Sequence, residues 1–132
     1  MSYDIRKGWP ADSAIDEIFV ADTGQVIEEG MIVTVADGKA SVANFTSAAA
    51  DTDPMVAFVI GCEHIRKNYT GIMSQCVIEV DAAHYEAATY AAGDLLTAKA
   101  GKFAKAGTSK AIGRVLSMSP AGVMRLMWFE AR

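Results

Sequence analysis

Met31-Ile-Val-Thr-Val-Ala-Asp37-Gly38-Lys39-Ala-Ser-Val-Ala43 decides the fold class. Two runs rich in β-branched residues flank an Asp-Gly pair, and Asp-Gly supplies the two positive φ angles of a type I′ turn. The stretch therefore reads as a tight β-hairpin. A second one follows at Leu95-Leu-Thr-Ala-Lys99-Ala100-Gly101-Lys102-Phe103-Ala-Lys-Ala106, where Ala-Gly is a weaker turn signal than Asp-Gly. The two segments match at an offset of 63: Gly30, Thr34, Gly38, Lys39 and Ala43 align with Gly93, Thr97, Gly101, Lys102 and Ala106. Each is followed by a strand with an aliphatic-Gly step, Ala57–Gly61 and then Ala111–Leu116. Hairpins draw on few residue types, so convergence also accounts for the match. The reading adopted is a module used twice, a pseudo-duplicated barrel half of leading glycine, hairpin and return strand.

Working outward, further strands are expected at Glu17–Ala21, Pro54–Gly61, Gln75–Asp81 and Gly122–Phe129. Ser13-Ala-Ile-Asp16 also fits a capping box, which leaves a short helix near 13–21 as an alternative. Asp81 suits the cap of one or two helical turns. Asn44–Asp53, rich in Ala, Asp and Thr, reads as a surface loop. The run Val123–Phe129 is apolar on both faces apart from Arg125, as in a core strand or an interface. Residues 1–12 contain Trp9-Pro10 and read as an extended N-terminal arm, because the residue before proline avoids the helical region. The expectation is a mainly β fold, a compact β-barrel or sandwich-like domain over 13–132 built from hairpins, with at most one or two short helices.

The 132 residues, 52% of them hydrophobic, suffice to bury a core without a metal or disulfide framework. No run approaches the ~18 apolar residues of a membrane span, and Met1–Pro10 lacks a signal-peptide core, so synthesis in a cytoplasm is expected. Cys62 and Cys76 are then expected to be unpaired and buried. Charge is uneven. Residues 1–94 hold five Lys and Arg against fifteen Asp and Glu, a net −10, whereas residues 95–132 hold seven against Glu130 alone, a net +6. Complementary surfaces of this kind favour docking of copies on one another or on a shared lattice.

Constellations that carry chemistry are sparse. The chain has no Gly-x-Gly-x-x-Gly, no phosphate-binding loop and no Gly-x-Ser-x-Gly elbow. Cys62, His64, Cys76 and His84 are the residue types of a zinc site, but lack the usual Cys-x-x-Cys knuckle. The same residues reread as a Cys-His nucleophile show no activating base. Two buried thiols and two surface or rim imidazoles is the plainer reading. Asp16-Glu17, Glu28-Glu29 and Asp51-x-Asp53 are acid pairs of the solvated kind, without the facing geometry of a glycosidase or the ligand set of a calcium loop. Lys99, Lys102, Lys105, Lys110 and Arg114, with Phe103 among them, suit a phosphate backbone, but the acidic remainder of the chain opposes nucleic acid. No enzyme activity, metal or cofactor is expected, and neither a membrane nor a nucleic-acid partner. A small-ligand or hydrolytic barrel working through Cys62 or His64 stays as the alternative from another class.

Gly93-Asp94-Leu-Leu-Thr-Ala, Gly101-Lys102, Ala106, Ala111-Ile112-Gly113, Val115-Leu116 and the closing Met124-Arg-Leu126-Met-Trp128 resemble the C-terminal half of tailed-bacteriophage head-decoration (capsid cement) proteins. Gly30–Ala43 is similar in style, so the resemblance covers about two-thirds of the chain. It implies a β-rich structural virion protein on the outer capsid surface, bound to the major capsid protein and stabilising the shell. It also implies self-association, with trimers around three-fold positions, and no catalytic residues. The family's N-terminal arm reaches onto the shell. By position that arm is residues 1–12, which makes Tyr3, Arg6, Lys7 and Trp9 the capsid-contact candidates. A tail or baseplate adaptor is the alternative within the same class.

Overall fold

Asp37 and Gly38 take φ angles of 54° and 72°, and Ala100 and Gly101 take 51° and 81°. Both two-residue turns are thus left-handed at each position, as the right-handed twist of a tight hairpin demands. The computed structural model describes residues 3–7, 16–46, 54–63, 65, 67–73 and 75–128. Among them the first turn joins β3 (Ile32–Ala36) to β4 (Lys39–Val42), and the second joins β8 (Leu95–Lys99) to β9 (Lys102–Lys105). The remaining strands are β1 (Tyr3–Lys7), β2 (Asp16–Ala21), β5 (Met55–Glu63), β6 (Asn68–Ile72), β7 (Cys76–Val80), β10 (Gly113–Met118) and β11 (Met124–Trp128). The fold is mainly β. Asp16–Ala21 is a strand paired with β6 at five positions, so the helical alternative fails there. Residues 13–15 lie outside the described residues. Asp81 does cap a single 3-10 turn, Ala82–His84, by accepting a hydrogen bond from Ala83 N.

Strand order exposes the repeat. A closed barrel runs β2-β4-β3-β5-β6, so that its open form is β2-β6-β5-β3-β4. The second sheet runs β1-β7-β11-β10-β8-β9. Without β1 this is the same order with β7, β11, β10, β8 and β9 standing for β2, β6, β5, β3 and β4. The backbone bonds repeat as well. Gly30 N donates to Val59 O at 2.7 Å and Gly93 N to Val115 O at 2.8 Å. Val59 N donates to Met31 O and Val115 N to Asp94 O, both at 2.9 Å. The bulge after Val59 in β5 recurs after Val115 in β10. Each unit closes by a parallel contact, β2 on β4 in the first and the single bridge Tyr85 to Phe103 in the second. The matching bonds are Asp22 N to Ala40 O at 2.8 Å and Glu86 N to Phe103 O at 2.7 Å.

The repeat is larger than a barrel half: each copy builds a five-stranded unit. The return strands do correspond, but not through their glycines. Val33 faces Ala57 where Leu96 faces Gly113, so Gly113 stands in the place of Ala57 and not of Gly61. The aliphatic-Gly steps are therefore coincidental.

Among the described residues two clusters fill the interior. Phe19, Ile27, Val33, Val35, Ala40, Ala57, Val59 and Tyr69 pack inside the barrel. The larger cluster belongs to the second sheet, including Leu96, Phe103, Leu126 and Trp128, but Ile32, Phe45, Val56, Phe58 and Ile72 of the first unit complete it. In β5, Val56 and Phe58 face the second sheet, while Ala57 and Val59 face the barrel, and all four are fully buried. That explains the unbroken apolar run, since a strand covered on both faces loses its alternation. β11 alternates instead: Met124, Leu126 and Trp128 are buried, Arg125 is exposed and Met127 is half-buried. It is a core strand between β7 and β10. The expected surface loop at Asn44 opens with Phe45 buried in the shared cluster, and residues 47–53 lie outside the described residues.

Gly30 and Gly93 hold the same place in the two units, with φ of 85° and 94°. A Cβ on Gly93 meets nothing within 4 Å, whereas one on Gly30 comes within 2.7 Å of His84 Nδ1 and nearer still to the ring carbon beside it. Gly93→Ala is expected to lose about 1 kcal/mol from backbone strain alone. Gly30→Ala adds an overpacking cost of about 1–3 kcal/mol, because a buried imidazole must move. Urea denaturation of the two variants checks the difference, and equal losses contradict it.

Candidate interaction surface

Of the thiols and imidazoles singled out in the sequence, the three that are described, Cys62, Cys76 and His84, do not converge. Cys62 is half-buried on β5, opposite Tyr69 of β6, while Cys76 begins β7 in the other sheet and is 3% exposed. His84 is buried rather than on a rim, and its Nδ1 lies 3.2 Å from the Gly30 carbonyl. It packs the junction of the two units. His64 lies outside the described residues. Among the described residues no group of three or more His, Cys, Asp or Glu is placed to hold a metal ion. Burial pushes the Cys76 thiol up to about 11, which is opposite to what a nucleophilic thiolate requires.

Charge divides between the units. Residues 16–73, the span of the first unit, carry nine Asp and Glu against three Lys and Arg; residues 75–128 carry four against six. The basic stretch is not one stripe. Lys99 and Lys102 flank the second turn, Lys105 is 3.8 Å from Asp94, and Arg114 on β10 donates to Gly93 O at 3.0 Å. Phe103 is wholly buried and offers no face for stacking on a base.

The two hairpin tips differ in their surroundings. Gly101 O accepts from Ile32 N and Gly101 N donates to Ala43 O, both at 2.9 Å; Ala100 N donates to Asn44 Oδ1 at 3.2 Å. The second tip is thereby seated on the first unit, in a recess formed by Gly30, Met31, Ile32, Val42 and Ala43. The first tip, Asp37-Gly38, is exposed, and a Cβ on Gly38 meets nothing within 4 Å. The recess has a counterpart on the second unit. Gly93, Asp94, Leu95, Lys105, Ala106, Gly107 and Arg114 line an open groove of about 330 Å³. The sequence signal for both lies in the 63-residue offset.

Of the capsid-contact candidates, Tyr3, Arg6 and Lys7 lie on β1, which pairs with β7 through Tyr3 to Val80 and Lys7 to Val77, with an irregularity between Ile5 and Lys7. Trp9 lies outside the described residues. Part of the expected arm is thus a strand laid along the second sheet at its outer edge, outside the repeated unit. Among the described residues no helix is long and apolar enough to cross a membrane. No protein-family model matches the chain, and no curated protein matches it.

Two buried acids give the structure a pH signature. Desolvation pushes Cys76 up to about 11 from 9.0, and desolvation with the nearby Glu86 and Tyr85 pushes Tyr90 up to about 12 from 10.0. Tyr90 also donates to Glu86 O at 2.6 Å, which favours its protonated form. The folded chain keeps these protons to higher pH than the unfolded chain. Their contribution is full below the ordinary values and is lost as pH rises through the folded ones. Stability is expected to fall above pH 9.0, with a slope approaching about 1.4 kcal/mol per pH unit for each group. Denaturant titrations across that range check it; Cys76→Ala should flatten the portion between 9.0 and about 11, and an unchanged slope contradicts the assignment.

Proposed function

We propose that the chain is a structural virion protein that binds the outer surface of a phage capsid and stabilises it, contacting the major capsid protein and associating with its own copies, as trimers. The observation that carries this reading is β1. It is added to the edge of the second sheet beyond the repeated unit, and its own outer edge has no strand beside it among the described residues. An edge strand presents unpaired N–H and C=O groups, the means by which one protein adds a strand to another. Tyr3, Arg6 and Lys7 sit on that strand and are of interface-anchoring or charge-pairing type. Conventional catalysis requires convergent polar groups, and Cys62, Cys76 and His84 stand apart. A protein that binds only the assembled shell adds its binding free energy to the stability of that shell. No catalytic role is assigned to Cys62, Cys76 or His84.

The test is co-sedimentation of the purified chain with mature heads stripped of it. Saturable binding is expected, weakened at least about tenfold by Arg6→Glu with Lys7→Glu and by raised salt. Absence of binding to heads by the wild-type chain overturns the capsid assignment and moves the partner to tail or baseplate components.

A further inference from the structure

The groove on the second unit and the recess on the first are the same place in two copies of one module. By the 63-residue offset Gly93, Asp94, Leu95, Lys105 and Ala106 correspond to Gly30, Met31, Ile32, Val42 and Ala43, and by strand pairing Arg114 corresponds to Phe58. In the first unit the place is occupied by the Ala100-Gly101 turn. In the second it is open, with Leu95 40% exposed where Ile32 is wholly buried. The turn corresponding to Ala100-Gly101 is Asp37-Gly38. It has the same left-handed backbone, it is exposed, and a Cβ on Gly38 meets nothing within 4 Å.

We propose that the chain associates head to tail, the Asp37-Gly38 turn of one copy seating in the groove of the next and repeating between molecules the contact that already joins the two units within one. The proposal deepens the self-association of the function proposed above and rests on it. Charge supports this occupant. Asp37 would approach Lys105 and Arg114, and Lys39 would approach Asp94, in a contact between the acidic unit and the basic one. Backbone groups support it too. Leu95 N and Ala106 O stand where Ile32 N and Ala43 O hold Gly101. Ala106 O already accepts from Ser109 N at 2.8 Å and Gly38 O from Val20 N at 3.0 Å, but a carbonyl has two lone pairs and each keeps one. Arg114 uses one N–H on Gly93 O and has others to give. Because tip and groove are different surfaces, the contact is heterologous and generates a ring where the rotation closes, the symmetry a trimer needs.

The experiment is sedimentation equilibrium of the full chain at low salt, with Asp37→Lys, Arg114→Glu and their equimolar mixture. Asp37 and Arg114 are both exposed, and circular dichroism verifies that each variant is folded. Wild-type protein is expected to associate beyond a monomer, and each variant alone about tenfold or more weaker. In the mixture the lysine tip meets the glutamate groove and the original tip meets the original groove; a three-membered ring then holds two matched contacts and one mismatched, so association is expected to recover in part, above that of either variant alone. A wild-type chain that stays monomeric, variants that associate like wild type, or a mixture that fails to recover each overturn the proposal. Head binding separates this from the broader reading: variants that fail to self-associate yet sediment with heads leave the capsid assignment standing, and wild type that self-associates but ignores heads leaves the contact standing without it.

Discussion

The ring of Phe58 lies 6.0 Å from Phe103 and 6.2 Å from Trp128, with those two 6.1 Å from each other. It reaches them from the outer wall of the barrel, because β5 sends alternate side chains to opposite faces. The first unit closes on its own contents. The second closes its strands by a single bridge, and its interior is completed by Phe58, Ile32, Val56, Phe45 and Ile72 from its neighbour. A wholly buried aromatic side chain is worth about 1.5–3 kcal/mol in area alone, and three in mutual contact add favourable ring geometry. The arrangement has a cost: Trp128 Nε1 and Thr97 Oγ1 are buried with no hydrogen-bond partner among the described residues. The barrel wall is therefore part of the second unit's core, and the two copies form one body.

From that sharing follows the asymmetry of the repeat. One turn conformation is used twice, once against protein and once exposed. The equivalent recess is likewise filled once and open once. Substitutions track the difference: Phe58 on the covered wall is matched by Arg114 on the open one, and Ile32 by Leu95. The repeat presents two copies of the same contact surfaces, and one pair meets within the chain. The other pair sits on units of opposite charge, which is the condition for polar assembly.

Both hairpins were legible in the sequence because their determinants are local. Asp-Gly sets its own φ angles. Ala100-Gly101 is a weaker local signal, and three hydrogen bonds between that tip and Ile32, Ala43 and Asn44 hold Ala100 in a left-handed conformation that alanine ordinarily avoids. The offset of 63 carried the repeat, yet the alignment by Gly61 and Gly113 misplaced the return strand, since β5 follows its hairpin at a different distance from β10. β6 was missed. Asn68-Tyr-Thr-Gly-Ile is polar, contains a glycine, and is held by pairing on both sides rather than by propensity. The parallel closure of each unit and the two-faced burial of β5 are long-range and leave no local mark. His84 looked like a rim residue, but Gly30, 54 positions earlier, makes the space that buries it. For function, composition carried the charge imbalance, and only the topology assigned it to one unit and the other.

If the units share one core, they cannot unfold separately. The decisive measurement is urea unfolding in a Trp9→Phe background, where Trp128 is the remaining tryptophan, followed at once by its fluorescence and by far-ultraviolet circular dichroism. The shared core predicts one transition with coincident midpoints for both signals. A second transition, with dichroism persisting after the Trp128 signal is lost, would mean that the barrel stands alone and that Phe58 does not unite the two sheets.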